Sequence, residues 1–135
     1  MENNLVVNEA IVKVAIENAI HDLETFAEFL PFGGLFIANE GVKIINPELK
    51  EGEEPGEQTL KKLSKKLKNE MFVQSAIAFF TCYMAEDDTA EASEKQMIVI
   101  EITHKVKSPQ YFYYFNYSIQ EMKVTITDSY AESVI

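Results

Sequence analysis

Two histidines, one cysteine and a run of tyrosines near the C-terminus are the side chains in this 135-residue chain that could carry chemistry. His21 and His104 fall on different predicted elements, and neither belongs to a metal-ligand spacing such as HxH or HExxH. The nearest approach of a carboxylate to an imidazole is "EITH", Glu101 to His104. On a strand an odd separation sends those two side chains to opposite faces, so they would not share a metal. A lone histidine on an apolar strand face is more often a hydrogen-bonded core group than a catalyst. A buried imidazole is also a natural place for a shifted pKa, which keeps His104 among the candidate binding residues.

Cys82 lies in the apolar run "MFVQSAIAFFTCYMA" and could meet His104 across neighbouring strands as nucleophile and base. A reactive thiolate needs an electropositive, partly exposed setting, which an apolar strand does not supply. No GxSxG, P-loop or dinucleotide fingerprint occurs, and Gly33-Gly34 follows a helical pattern instead of preceding one, the reverse of the phosphate-cradling order. The acidic clusters "EGEE" and "EDD" read as solvated loops, since a calcium loop needs regularly alternating ligands. No catalytic residue, metal or cofactor is expected.

The tyrosines are the remaining chemistry. From Tyr111 to Tyr117, six of seven positions are aromatic and four of those rings are tyrosine. In a strand, Tyr111, Tyr113, Phe115 and Tyr117 point one way and Phe112, Tyr114 and Asn116 the other. Each ring can remove about 150 to 250 Å² from water, so the run thickens a small core, while the hydroxyls must reach a partner or water. One face in the core and one near the rim of a groove satisfies both demands. Tyr111, Tyr113 and Tyr117, with His104, are the expected binding residues.

Nucleic acid is a poor match for these rings. A stacking platform interleaves aromatics with cations, yet the flanks offer only Lys105 and Lys107. All twelve basic residues are lysine, there is no arginine, and the formal net charge is −10, which repels polyanions and favours cationic partners. The longest apolar stretch is too short to span a bilayer and is interrupted by Gln74 and Ser75. The first residues, "MENNLVVNEA", show no basic segment followed by an apolar one, which argues against a secretory signal. With one unpaired cysteine as well, a cytoplasmic protein is expected.

These side chains need elements to hold them. At 135 residues one α+β domain over residues 1–135 is expected, long enough to bury roughly 68% of its unfolded surface. Apolar residues at helical spacing predict an amphipathic helix from Val6 to Leu30, with Ile16, Ala19, Ile20, Leu23, Phe26, Ala27 and Leu30 inward, stopped by a turn at "PFGG". "LFIANEGVKII" predicts a hairpin with Asn39-Glu40-Gly41 as its loop. After a solvated loop over 46–57, "EQTLKKLSKKLKNE" predicts a second helix with Leu60, Leu63, Leu67 and Met71 inward and lysines outward. That lysine face could lie on a membrane or an anionic ligand, but it carries no interfacial tryptophan and reads as solvated.

Residues 71 to 84 predict a central strand, and "MIVIEITHKV" a strand with Ile98, Ile100, Ile102, His104 and Val106 on one face. An acidic loop, "EDDTAEASEK", joins the two, and "SP" turns the chain into the aromatic strand. "MKVTITD" is a last strand, and the tail "SYAESVI" is expected to fray. The order α-β-β-α-β-β-β-β predicts an α+β fold, two helices packed on a mainly antiparallel sheet.

The succession "FAEFLPFGGLFIANEGVKII", a helix, "SAIAFFTCYM", "MIVIEITHK" and "YFYYF" resembles a family of small uncharacterised bacterial proteins. Those carry an N-terminal helix ending in a Phe-x-Pro-Phe-Gly-type turn, a hairpin, a helix and then antiparallel strands. The resemblance implies the same element order and no established activity.

The residues therefore point first to a non-enzymatic interaction domain taking a basic protein partner, in the manner of small acidic immunity proteins that neutralise basic toxins. The alternative is a small-molecule binder or enzyme with a pocket between sheet and helices lined by tyrosines and His104. A third reading is a homo-oligomer formed through an edge strand. Neither nucleic acid nor a membrane is an expected partner.

Overall fold

The structure, a computed structural model, describes residues 4–49, 56–86, 96–106 and 110–134. Its elements are α1 (Asn4–Phe26), β1 (Phe32–Ile37), β2 (Gly41–Ile45), α2 (Glu57–Val73), β3 (Ala78–Glu86), β4 (Gln96–His104), β5 (Gln110–Gln120) and β6 (Lys123–Val134). The strands form a six-stranded sheet in the order β2-β1-β3-β4-β5-β6, every neighbouring pair antiparallel. This is the expected α+β architecture. Much of both predicted acidic loops, and the Ser108-Pro109 turn, lie outside the described residues.

α1 is shorter than its apolar spacing suggests. It stops at Phe26, where Ala27 takes a left-handed conformation with φ of 66° and its N–H returns to the Leu23 carbonyl at 2.8 Å. Pro31 keeps Leu30 out of the helical region, and the non-helical link lets Phe29 turn inward to meet Phe32 edge to face at 5.9 Å. Phe26 and Leu30, expected inward, are exposed as a result. The buried stripe is Val7, Asn8, Ile11, Ala15, Ala19 and Leu23.

Gly33 and Gly34 are not the turn they were expected to form but sit inside β1. A Cβ at Gly33 would strike the Phe80 carbonyl and come within 2.6 Å of Leu67 Cδ1 on α2, and one at Gly34 would meet the Phe80 ring at 2.8 Å. The pair is therefore required by close approach of backbone, helix and ring. The hairpin forms as expected, but its loop is Ala38-Asn39-Glu40, one residue earlier, because Gly41, at φ 87°, already pairs with Ile37; Asn39 takes φ 69°.

α2 runs through Val73, so residues 71–73 are helix where a strand was expected; Ser75, at φ 54°, makes the turn into β3. Val106 lies beyond β4 and is 87% exposed, not inward. The tail as far as Val134, its last described residue, does not fray, because β5 is long enough to pair with β6 to that point. β5 and β6 join through Glu121 and Met122, both at positive φ (52° and 62°), a two-residue hairpin turn made without glycine or asparagine.

Connectivity decides what each sheet face carries. β2 and β3 run in the same direction on either side of β1, so the chain between them must cross over the sheet, and α2 does so above β1. Leu35, Leu63, Leu67, Met71 and Ala76 form the core there. From β3 onward the described strands follow one another as a meander, and among the described residues no helix covers β4, β5 and β6 on that side. α1 lies across the other face and reaches every strand of the sheet, β5 through Tyr113, above a core that includes Phe32, Phe80, Cys82, Ile98, Ile100, Ile102 and Tyr117.

Candidate functional site

The four residues singled out by sequence all lie on the α1 face. Tyr111, Tyr113 and Phe115 pack against the α1 core from β5, and Tyr117 is 1% exposed within it. His104, 6% exposed, places Nε2 2.7 Å from Asn8 Oδ1, and Asn8 Nδ2 donates to the Tyr113 hydroxyl at 3.1 Å. With the amide oxygen as acceptor, Nε2 carries the imidazole proton. Nδ1 is buried with no partner among the described residues, so a second proton would enter a site with no acceptor, and burial lowers the His104 pKa. Tyr111 meets the His104 ring edge-on at 5.6 Å. These groups brace α1 against the sheet.

Cys82 is fully buried on the same face, and burial pushes its thiol pKa up, which favours the unreactive protonated form. β3 and β4 pair Ala78 with His104 and Cys82 with Ile100, so the thiol and the imidazole stand four residues apart, about 13 Å along the strands. They do not form a nucleophile and base. Glu101 and His104 lie on opposite faces, as their spacing predicted.

Facing the other way, the uncovered half of the sheet assembles a different set. The register aligns Tyr83, Val99, Tyr114 and Tyr130 in one row across four strands and Thr81, Glu101, Phe112 and Glu132 in the next. Tyr114 stacks on Tyr130 at 4.6 Å between ring centroids and on Phe112 at 6.3 Å. Thr81 and Tyr83 hydroxyls each donate to the Glu101 carboxylate at 3.2 Å, and the Tyr114 hydroxyl donates to Glu132 at 2.6 Å. Val99 is buried in this row with no described helix above it, while Tyr130 remains 47% exposed.

These hydrogen bonds settle the electrostatics of the face. Partial burial and the adjoining carboxylates raise the pKa values of Tyr83 and Tyr114, so both phenols stay protonated as donors. Glu101 and Glu132, two strands apart across Phe112, stand about 10 Å from each other. Oriented carboxylates beside aromatic faces attract ammonium and guanidinium groups by charge and by the ring quadrupole.

Surface pockets lie elsewhere among the described residues. One of about 350 Å³ is lined by residues including Leu49, Thr59, Lys62 and Lys66, and one of about 390 Å³ by Asp22, Phe26, Leu30 and neighbours. Neither includes His104 or a tyrosine. Among the described residues, no three His, Cys, Asp or Glu side chains are placed to hold a metal ion, and no helix is long and apolar enough to cross a membrane. No protein-family model, curated protein or solved structure matches the chain. Function is therefore read from the chain's own geometry.

Proposed function

We propose that the protein is a non-enzymatic binding module of the cytoplasm that takes a basic protein surface on the open half of its sheet. The observation that carries this reading is the paired row of stacked rings and hydroxyl-bonded carboxylates: Tyr83, Glu101, Phe112, Tyr114, Tyr130 and Glu132. The net charge of −10 supports it, since a field of that sign speeds capture of a cationic partner. The buried, protonated Cys82 suits a reducing compartment.

The test uses a fluorescein-labelled octalysine peptide and anisotropy in low salt. Saturable binding is expected, weakened at least tenfold by Tyr114→Ala with Glu132→Gln and weakened again as salt rises. Absence of binding by the monomeric chain, or equal binding by the variant, overturns the proposal.

A further inference from the structure

The open half of the sheet is not the only surface left incomplete. α2 turns Leu63, Leu67 and Met71 inward, and its outer stripe carries Lys61, Lys65, Lys68 and Phe72 at spacings of four, three and four. Phe72 is 58% exposed and Val73 70%, an apolar end on an otherwise lysine-rich helix. Lys105 Nζ stands 5.4 Å from the Phe72 ring and covers only part of it. Both surfaces lie on the same side of the molecule, side by side, because α2 sits over β1 and β3 while no described element covers β4 to β6 there.

We propose that a second copy of this chain completes that face: two molecules meet about a two-fold axis running along the strands, and α2 of each fills the open half of the other. This rests on the proposed use of the open half for a basic surface and names that surface. The result is three layers, sheet, paired helices and sheet. A rotation about an axis parallel to the strands at the boundary of β3 and β4 carries the covered half of one copy over the bare half of the other, so the contact is isologous and closes. An axis across the strands would set helix on helix and leave both bare halves open.

Size and charge agree with this arrangement. α2, with 17 residues, is about 25 Å long, and the bare strands of 9 to 12 residues run about 30 to 40 Å, so the helix fits within the strand length. The helix and the bare half give a footprint on the order of 600 to 700 Å² per copy, near the roughly 800 Å² per partner of a standard interface. Lys65 and Lys68 of one copy meet Glu101, Glu132 and the stacked rings of the other, their aliphatic stems lying on the aromatic faces. Phe72 and Val73 leave water at the end of the same contact.

Sedimentation equilibrium reads the outcome against the monomer mass of 15.4 kDa. The wild-type chain is expected to sediment at twice that mass, with the dissociation constant rising about tenfold between low and high salt. Lys65→Glu with Lys68→Glu is expected to give monomers, as is Glu101→Lys with Glu132→Lys. Mixing the two variants should restore a heterodimer, because both contacts regain opposite charges. Should Glu101→Lys disturb folding through Thr81 and Tyr83, as a lowered thermal melt would reveal, Glu132→Lys alone serves as the partner variant. A monomeric wild type that still binds octalysine overturns the second copy and keeps the basic-surface reading. A monomer that binds no octalysine overturns both, and a dimer indifferent to these substitutions places self-association on another surface and overturns this proposal.

Discussion

The two faces of the sheet use rings from the same strand in opposite ways. On the α1 side, Tyr113 and Tyr117 are drawn under a helix, Tyr113 bonded to Asn8, within a core that reaches Phe80 and Ile100. On the other side, Tyr114 lies between Phe112 and Tyr130, its hydroxyl donating to Glu132, with no described helix above. Alternate residues of β5 thus become core or surface according to the cover above them. The cover is set by connectivity, since the crossover from β2 to β3 places α2 over one half only.

Truncating one ring on each side gives the strongest test of that contrast. Phe80→Ala, which empties a fully buried site under α1, is expected to cost about 3 to 5 kcal/mol, whereas Phe112→Ala on the open side should cost no more than about 1.5 kcal/mol. Urea denaturation measures both, and equal losses would dissolve the distinction. Next in size, Gly33→Ala should cost about 1 to 3 kcal/mol, because the methyl group meets both the Phe80 carbonyl and Leu67. The same substitution at Gly41, where no atom lies within 4 Å but φ is 87°, tests backbone strain alone and should cost about 1 kcal/mol.

The buried polar group under α1 should also respond to pH in a way the open side does not. His104 has a lowered folded pKa, so the unfolded chain binds the extra proton more readily, and stability should fall as pH drops below the ordinary histidine value of 6.5. His104→Gln should flatten that slope between pH 7 and 5 in pH-dependent melts. Unchanged pH dependence would show that the imidazole tolerates a second proton where it sits. The smallest effect belongs to the hairpin that ends the uncovered half: replacing Glu121-Met122 by Asn-Gly should stabilise by about 0.5 to 1 kcal/mol, since both positions have positive φ.

Element order was readable because apolar spacing switches cleanly between helical and alternating periods, and the two faces of β5 separated as the alternation of its rings implied. Which face would be open was not readable. Both sets of β5 side chains are aromatic, so the outcome depends on where α1 and α2 lie, and the chosen residues, Tyr111, Tyr113, Tyr117 and His104, all went under α1. A usable signal was nevertheless present: Glu101 interrupts the isoleucines of β4, and Glu132 follows Tyr130 at strand spacing, so acidic parity marked the open side. The Gly33-Gly34 pair misled because close approach and turning favour the same residue. The Glu121-Met122 turn carried no turn-forming residue at all.

The polar contacts of α1 bear on how the chain comes to be folded. Asn8 reaches His104 and Tyr113 across sequence separations of 96 and 105, and Glu24 accepts the Val124 N–H at 2.9 Å across a separation of 100. α1 therefore finds these hydrogen-bonding partners in the segment from His104 to Val124, far along the chain from it. Contacts of such range slow folding, because a long loop must close before any of them forms. Until then Asn8 is left to water, and assembly of the α1 face waits for β4, β5 and β6.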